Sequence, residues 1–264
     1  MINSASYKQY YLTNLTIVLC LFTGCVNTPP PPMSPPPTKN ETALKDIEIL
    51  ASDTMQGRKP GSSGHEAARD FIIKRFHTLE LKAFSENYQQ TFLFSQGFQR
   101  QTGYNLVGWL EGTEFSKTFI VITAHYDHLG KRGRETFNGA DDNASGVAAL
   151  LALATYFAQY PPKHSLIFVA TDAEEGGLHG ADAFVSAPPV NLSSIVLNIN
   201  LDMLGIGGKR GQLHALPAKG QSTIKAWLKQ QAPRYNYPSM TLRIGAPVPT
   251  RTLGVINKVD WHKA

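Results

Sequence analysis

The sequence of 264 residues predicts an α/β protein, a three-layer α/β/α sandwich around a mixed, largely parallel sheet. Three apolar runs of strand length, at residues 119–124, 165–171 and 195–201, are typical of strands buried on both faces. The stretch 144–160 is almost wholly small and apolar and ends at two prolines, which indicates a helix packed against the sheet. The order of these elements favours one three-layer domain.

Other segments extend this pattern toward the amino terminus. Residues 41–51 and 65–81 have helical spacing and are separated by a turn rich in glycine and proline at 57–64. Residues 91–98 and 104–110 are predicted strands, and the second leads directly toward the 119–124 strand. We therefore expect helices and strands throughout residues 41–205.

Composition bounds the class of protein. Hydrophobic residues make up 42% of the chain and charged residues 17%, which suits a globular domain with a sizeable core. The formal net charge is +5, but the basic residues are scattered, so the sequence gives no indication of nucleic-acid binding. Both cysteines, Cys20 and Cys25, lie in the first 25 residues, so the globular domain has no thiol ligand and no internal disulfide.

The amino terminus predicts export. Residues 1–24 resemble a lipoprotein signal peptide, in which a short apolar core precedes Cys25. Cys25 is the expected lipidation site, residues 25–40 a Pro-rich linker, and residues 41–264 the globular domain. This pattern predicts a location in the bacterial cell envelope, with a lipid anchor to the outer membrane that faces the periplasm or the exterior. The alternative is an ordinary cleaved signal with an incidental cysteine.

Polar residues follow each of the three apolar runs. In an open α/β sheet, chemistry collects beyond the carboxyl ends of the strands, so these side chains should converge. Imidazole and carboxylate ligands suit zinc above other metals. Within a glutamate pair, one carboxylate can bind the ion while its neighbour takes a proton from water. The candidate residues are His125 and Asp127, Asp141 and Asp142, Glu174 and Glu175, and Asp202.

Four segments together resemble metallopeptidase family 28, the co-catalytic di-zinc aminopeptidases. They are HYDHLG at 125–130, NGADDNASG at 138–146, DAEEGGLHG at 172–180 and NLDM at 200–203. The resemblance implies the zinc-dependent exopeptidase fold, two zinc ions as cofactors, and peptide substrates with a free N-terminus as partners. The implied activity is removal of N-terminal residues by metal-activated water with a glutamate as general base.

The resemblance also implies roles for individual residues. His125 and Asp202 would bind the first zinc, Glu175 the second, and Asp141 would bridge both. Glu174 would be the general base, with Asp127 as the hydrogen-bond partner of His125. A cis peptide would join Asp141 to Asp142.

The sequence departs from this family in one respect. The family's fifth ligand is a histidine in a late S-D-H segment, and the only Asp-His pair in this chain is Asp127-His128. We therefore expect a domain truncated at its carboxyl end, a second zinc without an imidazole, and a poor enzyme that His262 does not rescue. Two alternatives stay open, a glutaminyl cyclase-like acyltransferase and a non-catalytic binding lipoprotein on the same fold.

Overall fold

The computed structural model describes residues 40–205 and, beyond them, Ala226. The chain divides into two units, Met1–Thr38 and Lys39–Ala264, and every described residue belongs to the second unit. The predicted leader, Cys25, most of the Pro-rich linker and His262 lie outside the described residues.

The described part of the chain alternates helices and strands, as the sequence predicts. The four α-helices are α1 (Asn40–Leu50), α2 (Ser63–Thr78), α3 (Gly146–Gln159) and α4 (His179–Ser186). The eight strands are β1 (Lys82–Ala83), β2 (Gln89–Gln96), β3 (Gln99–Leu110), β4 (Phe115–His125), β5 (Gly130–Arg132), β6 (Glu135–Phe137), β7 (His164–Thr171) and β8 (Ile195–Asn200). The helix predicted at 144–160 and the three apolar strands are confirmed.

Six of these strands form the main sheet, which is mixed. Strand order is β1-β3-β7-β4-β8, and β2 pairs with β3 at the side of this path. Strand β4 runs parallel to both β7 and β8, whereas β3 runs antiparallel to β7. Strands β5 and β6 form a separate two-stranded hairpin. The parallel strands β7, β4 and β8 thus form one side of the sheet.

Alternate residues of the central strands point to opposite faces of the sheet, and each face carries its own core. Ile122 and Phe168 contribute to the larger core, which contains buried residues of α1, α2 and α3. Val121 and Ile167 contribute to the smaller core, which Phe184 of α4 covers. Helices therefore cover both faces, and the predicted three-layer α/β/α architecture is confirmed.

The parallel strands β4, β7 and β8 all end at the same edge of the sheet. His125 is the last residue of β4 and lies in register with Thr171 at the end of β7. Asp172 follows β7 directly, and Leu201 and Asp202 follow β8. This edge therefore collects the polar residues that the sequence places after each strand.

Among the helices of the described residues, none combines the length and the apolar character that a bilayer crossing needs.

Candidate metal centre

Two groups of possible metal ligands lie at the carboxyl edge of the sheet, and they share one carboxylate. The first consists of His125, Asp142 and Asp202, and the second of His128, Asp142 and Glu175. Within each group, one ligand atom from every residue lies within 4.8 Å of the others. We call these the first and second groups.

The first group surrounds a buried imidazole. His125 Nε2 lies 3.2 Å from Asp142 Oδ1 and 3.5 Å from Asp202 Oδ1. Burial alone would lower the pKa of His125, but the adjacent carboxylates of Asp127, Asp142 and Asp202 raise it well above its ordinary value. The hydrogen bond with His125 likewise lowers the pKa of Asp142. The first group therefore favours a positive charge at its centre.

The carboxylate shared by the two groups is not the one that the resemblance implies. Asp141, predicted from the resemblance to bridge both ions, belongs to neither group, and its Oδ1 accepts a hydrogen bond from the Gly205 N–H at 2.7 Å. Asp142 takes the shared place instead. The cis peptide, predicted between Asp141 and Asp142, lies one bond later, between Asp142 and Asn143. Asp141 and Asp142 lie side by side in the Ala140–Ser145 turn, whose backbone directs them differently, so the sequence alone did not distinguish them.

The second group also differs from expectation, because it contains an imidazole. His128 Nδ1 lies 2.7 Å from Glu175 Oε1, and His128 is buried. Among the described residues, this candidate group therefore holds a histidine that the sequence did not assign to it. His128 belongs to the same HYDH stretch as His125, but it lies beyond the end of β4, where strand alternation no longer predicts direction.

Asp127 connects His125 to the glutamate pair. Its side chain is completely buried, and its Oδ1 lies 3.6 Å from His125 Nδ1. The two carboxylate oxygens accept hydrogen bonds from the backbone N–H groups of Glu174, at 3.0 Å, and Glu175, at 3.2 Å. The His125 Nδ1 atom also lies 3.2 Å from the Asp127 carbonyl oxygen. Asp127 thus lies beside the imidazole and also holds the backbone of both glutamates through these hydrogen bonds.

Glu174 lies beside both groups and belongs to neither of them. Burial raises the pKa of this half-buried carboxyl from 4.5 to about 7, with nearby Asp127 and Glu175 adding to the shift and His125 opposing it. A carboxyl with such a pKa can both accept and donate a proton near neutral pH. Its neighbour Glu175 faces His128, so the two members of the pair have different surroundings.

No sequence pattern indicated a role for Arg58. Its guanidinium is buried and donates hydrogen bonds to four backbone carbonyls. They belong to Tyr126 at 2.9 Å, Asn138 at 2.7 Å, Gly139 at 2.9 Å, and Leu50. The Arg58 carbonyl in turn accepts the N–H of His128 at 3.1 Å. Arg58 therefore joins the loop that carries His128 to the loop that carries Asp142.

Gly139 allows this junction to be tight. It adopts a left-handed φ of 57°, and a Cβ placed on it would lie 2.6 Å from His128 Cδ2 and 2.8 Å from Arg58 Nη2. A side chain at this position would displace one of those groups, so glycine is required by both conformation and space.

A buried histidine–aspartate pair supports the turn before Glu174. His65 Nε2 lies 2.8 Å from Asp172 Oδ1, and both residues are buried. Asp172 also accepts hydrogen bonds from the N–H groups of Tyr104 and Ala173. The His65 ring stacks on Tyr126, with centroids 4.9 Å apart. The pair therefore holds α2, β3 and the Asp172–Glu175 turn together.

Solved structures similar to this one define the class of fold, that of the Zn-dependent exopeptidases. A Zn-dependent exopeptidase from Parabacteroides distasonis superposes with a TM-score of 0.69 at 20% identity, covering 81% of this chain and 79% of that chain. A glutaminyl cyclase from Bacteroides thetaiotaomicron, bound to N-acetylhistamine, gives 0.66 at 19% identity, covering 79% and 77%. A zinc aminopeptidase from Bacillus subtilis gives 0.64 at 18% identity, covering 80% of each chain.

The family follows from the sequence match. Residues 105–245 match the model of peptidase family M28, and the chain belongs to that family. Curated relatives are fungal vacuolar membrane proteases. The protease of Candida tropicalis is 32% identical over 184 residues, which cover 66% of this chain and 19% of that protein. The protease of Saccharomyces cerevisiae is 29% identical over 215 residues, covering 74% and 20%. The chain thus spans about a fifth of the length of these relatives.

These relatives contradict the expected location. They are vacuolar membrane proteases of fungi, not outer-membrane lipoproteins of bacteria, so the prediction of a bacterial cell-envelope location is wrong. That prediction rested on a short apolar run and one cysteine near the amino terminus. A local pattern of this kind carries no information from the folded domain, where the similarity to these relatives lies.

Proposed function

We propose that this chain is a zinc-dependent exopeptidase domain that hydrolyses N-terminal residues from peptides. The observation that carries the proposal is the pair of ligand groups that share Asp142. Two groups with a common carboxylate can hold two cations side by side, an arrangement that peptide-hydrolysing two-metal sites use. A glutaminyl cyclase with a single zinc would need only one such group.

The residues present fit a divalent cation. Their imidazole nitrogens and carboxylate oxygens are typical zinc ligands. Asp202 Oδ1 is a buried oxygen without a hydrogen-bond partner among the described residues. Such an oxygen is costly unless a cation or a donor compensates for its lost hydration. His125, Asp142 and Asp202 would hold one ion, and His128, Asp142 and Glu175 the other. Bound zinc supplies Lewis acidity, which acidifies water and polarises a carbonyl oxygen.

Glu174 is the proposed general base. It lies next to Glu175 in the chain but outside both ligand groups, so its carboxylate is free to move a proton. Desolvation raises its pKa to about 7, which counteracts the lowering that nearby cations produce. In the proposed reaction, Glu174 takes a proton from the attacking water. It then gives that proton to the amine nitrogen that leaves the peptide.

Asp127 is the proposed positioning residue. Its buried carboxylate lies beside His125 Nδ1, which favours Nε2 as the atom that faces Asp142 and Asp202. The same carboxylate holds the backbone of Glu174 and Glu175 through two hydrogen bonds. Asp127 thereby couples the orientation of a ligand to that of the base.

The test compares glutamate variants. The zinc-loaded chain should release free leucine from leucine p-nitroanilide. Glu174→Gln should retain its zinc, measured by plasma mass spectrometry, and lower turnover by about 10²–10⁴-fold, because proton transfer is lost. Glu175→Gln should lose zinc as well as turnover. The exposed Glu111, paired with Lys82, provides the control variant Glu111→Gln, which should behave as wild type.

Two outcomes would contradict the proposal. Full turnover in Glu174→Gln would exclude that residue as the base. Cyclisation of N-terminal glutamine by a chain that releases no free amino acid would identify a cyclase instead.

A further inference from the structure

A cleft opens beside the second group and is not accounted for by the chemistry described above. It has a volume of about 480 Å³, and His128, Asp142 and Glu175 are among the residues that line it. Residues of the β5–β6 hairpin and of the segment after Arg58 also line it. We call it the basic cleft, after its three cationic residues Lys59, Lys131 and Arg132.

The three cations are available to a ligand. Lys59, Lys131 and Arg132 are exposed, and none forms an ion pair with a carboxylate among residues 40–205. The Arg132 guanidinium carbon lies 5.4 Å from the centroid of the Phe137 ring, a cation–π contact within the hairpin. This contact leaves the guanidinium N–H groups available to a carboxylate.

Packing holds two of these cations on neighbouring elements. Gly130 lies directly under the Lys59 side chain, since a Cβ on Gly130 would lie 2.6 Å from Lys59 Cβ. Lys131 follows Gly130 and is paired in the hairpin with Thr136. Lys59 therefore lies close to the strand that carries Lys131, and the positive charges come from two elements that contact each other.

The carboxylates of the cleft do not neutralise these cations once metal is bound. The acidic residues that line it are Asp127, Asp142 and Glu175. Asp127 is committed to His125 and to two backbone N–H groups, and the other two belong to the ligand groups. With cations in those groups, the remaining field in the cleft is positive and attracts anions.

Part of the surface that lines the basic cleft is apolar. Pro60, Phe94 and Leu129 line the cleft and can contact the aliphatic part of a ligand. A ligand held by its carboxylate at Lys131 and Arg132 can thus extend along apolar surface toward the second group. This arrangement suits a short acidic peptide better than an uncharged one.

We propose that the basic cleft binds a carboxylate of the substrate, so that the enzyme prefers peptides with an acidic group close to the scissile bond. The inference rests on the proposed function and names its substrate class. The carboxylate has two possible sources, the side chain of an acidic N-terminal residue and the α-carboxylate at the end of a dipeptide. Both present the same chemistry to the cleft.

The experiment measures equilibrium binding, so that it is independent of turnover. Isothermal titration of the zinc-loaded chain compares glutamate with glutamine, which tests the side-chain carboxylate. A second arm compares leucyl-glycine with leucyl-glycine amide, both with the peptide carbonyl reduced to a methylene so that they cannot be hydrolysed, which tests the terminal carboxylate. In at least one arm, the charged ligand should bind about tenfold more tightly, since two partly exposed ion pairs each contribute up to about 1 kcal/mol.

The variants distinguish binding of the carboxylate in the basic cleft from its direct binding to the metal. The double substitution Lys131→Gln and Arg132→Gln should abolish the preference, because the metal groups remain but the cations are gone. Lys163→Gln removes an exposed cation that pairs with Glu114 at the other end of β7, and it should leave the preference intact. Equal affinities in both arms of the wild type, or a preference that survives in the double variant, would overturn the inference. Leucine p-nitroanilide turnover in the same preparations tests the proposed function separately.

Discussion

Replacement of Arg58 by methionine should weaken both the fold and the binding of metal. Methionine retains much of the aliphatic volume but donates no hydrogen bond, so the carbonyls of Leu50, Tyr126, Asn138 and Gly139 would lose their buried donor. A buried carbonyl without a partner costs about 1 kcal/mol or more, which gives about 4 kcal/mol for the four groups.

The burial of the guanidinium itself reduces this cost. Desolvation lowers the pKa of Arg58 to about 10, although Asp127 and Asp142 oppose the shift, so burial of the charged guanidinium costs free energy. Removal of the guanidinium avoids this desolvation cost, which offsets part of the stability lost with the four hydrogen bonds. We therefore expect Arg58→Met to lower the free energy of unfolding by about 2–4 kcal/mol.

The effect on metal binding has a geometric reason. Arg58 joins the loop of His128 to the loop of Asp142, and these residues contribute to the second group. Loss of this junction should loosen that group and lower its affinity for zinc. Arg58→Lys should recover part of the stability, because an ammonium group has three donors but lacks the planar fork.

Urea denaturation of the zinc-free chain measures the stability, and zinc titration by calorimetry measures the affinity. Arg100 is exposed on β3, so Arg100→Met provides a control with the same chemical change. If Arg58→Met matches Arg100→Met in both unfolding free energy and zinc affinity, the role assigned to Arg58 is refuted.

Two further predictions concern the ligand groups. Asp142→Asn should lose most of the bound zinc measured by plasma mass spectrometry, whereas Asp141→Asn should retain most of it; the reverse order would restore Asp141 as the shared ligand. In the metal-free chain, Glu174 has a folded pKa of about 7, above its ordinary 4.5, so folding favours its protonated form. Its contribution is therefore present below about pH 4.5 and is lost as the pH rises to about 7. Urea denaturation at pH 5 and pH 8 should show a smaller loss of stability in Glu174→Gln than in wild type, and an equal loss in both would contradict the raised pKa.

Much of the fold was predictable because its signals are local. The β4 and β7 strands are buried on both faces, so their sequences are continuous apolar runs. The residues of α3 that pack on the sheet are small and apolar. The convergence of His125, the glutamate pair and Asp202 followed from a general property of parallel strands, whose carboxyl ends meet at one edge. These local signals did not predict that β1, β2 and β3 join the sheet as antiparallel strands, which is seen only in the strand pairing of the folded structure.

The site was predictable only to the level of the segments that form it. Asp141 and Asp142 are identical in type and adjacent in sequence, and the turn between Ala140 and Ser145 decides which of them faces His125. His128 lies beyond the end of β4, and only the folded loop brings it to Glu175.

By itself, the sequence determined the α/β class, the edge of the sheet that carries the chemistry, and the zinc-type character of the candidate ligands. The tertiary structure decided which carboxylate is shared, which imidazole completes the second group, and which cation joins the two loops. The physical reason is one of range. Strands and helices follow from the periodicity of neighbouring side chains, whereas Arg58, 70 residues before His128 and 84 before Asp142, acts only after the chain has brought their loops together.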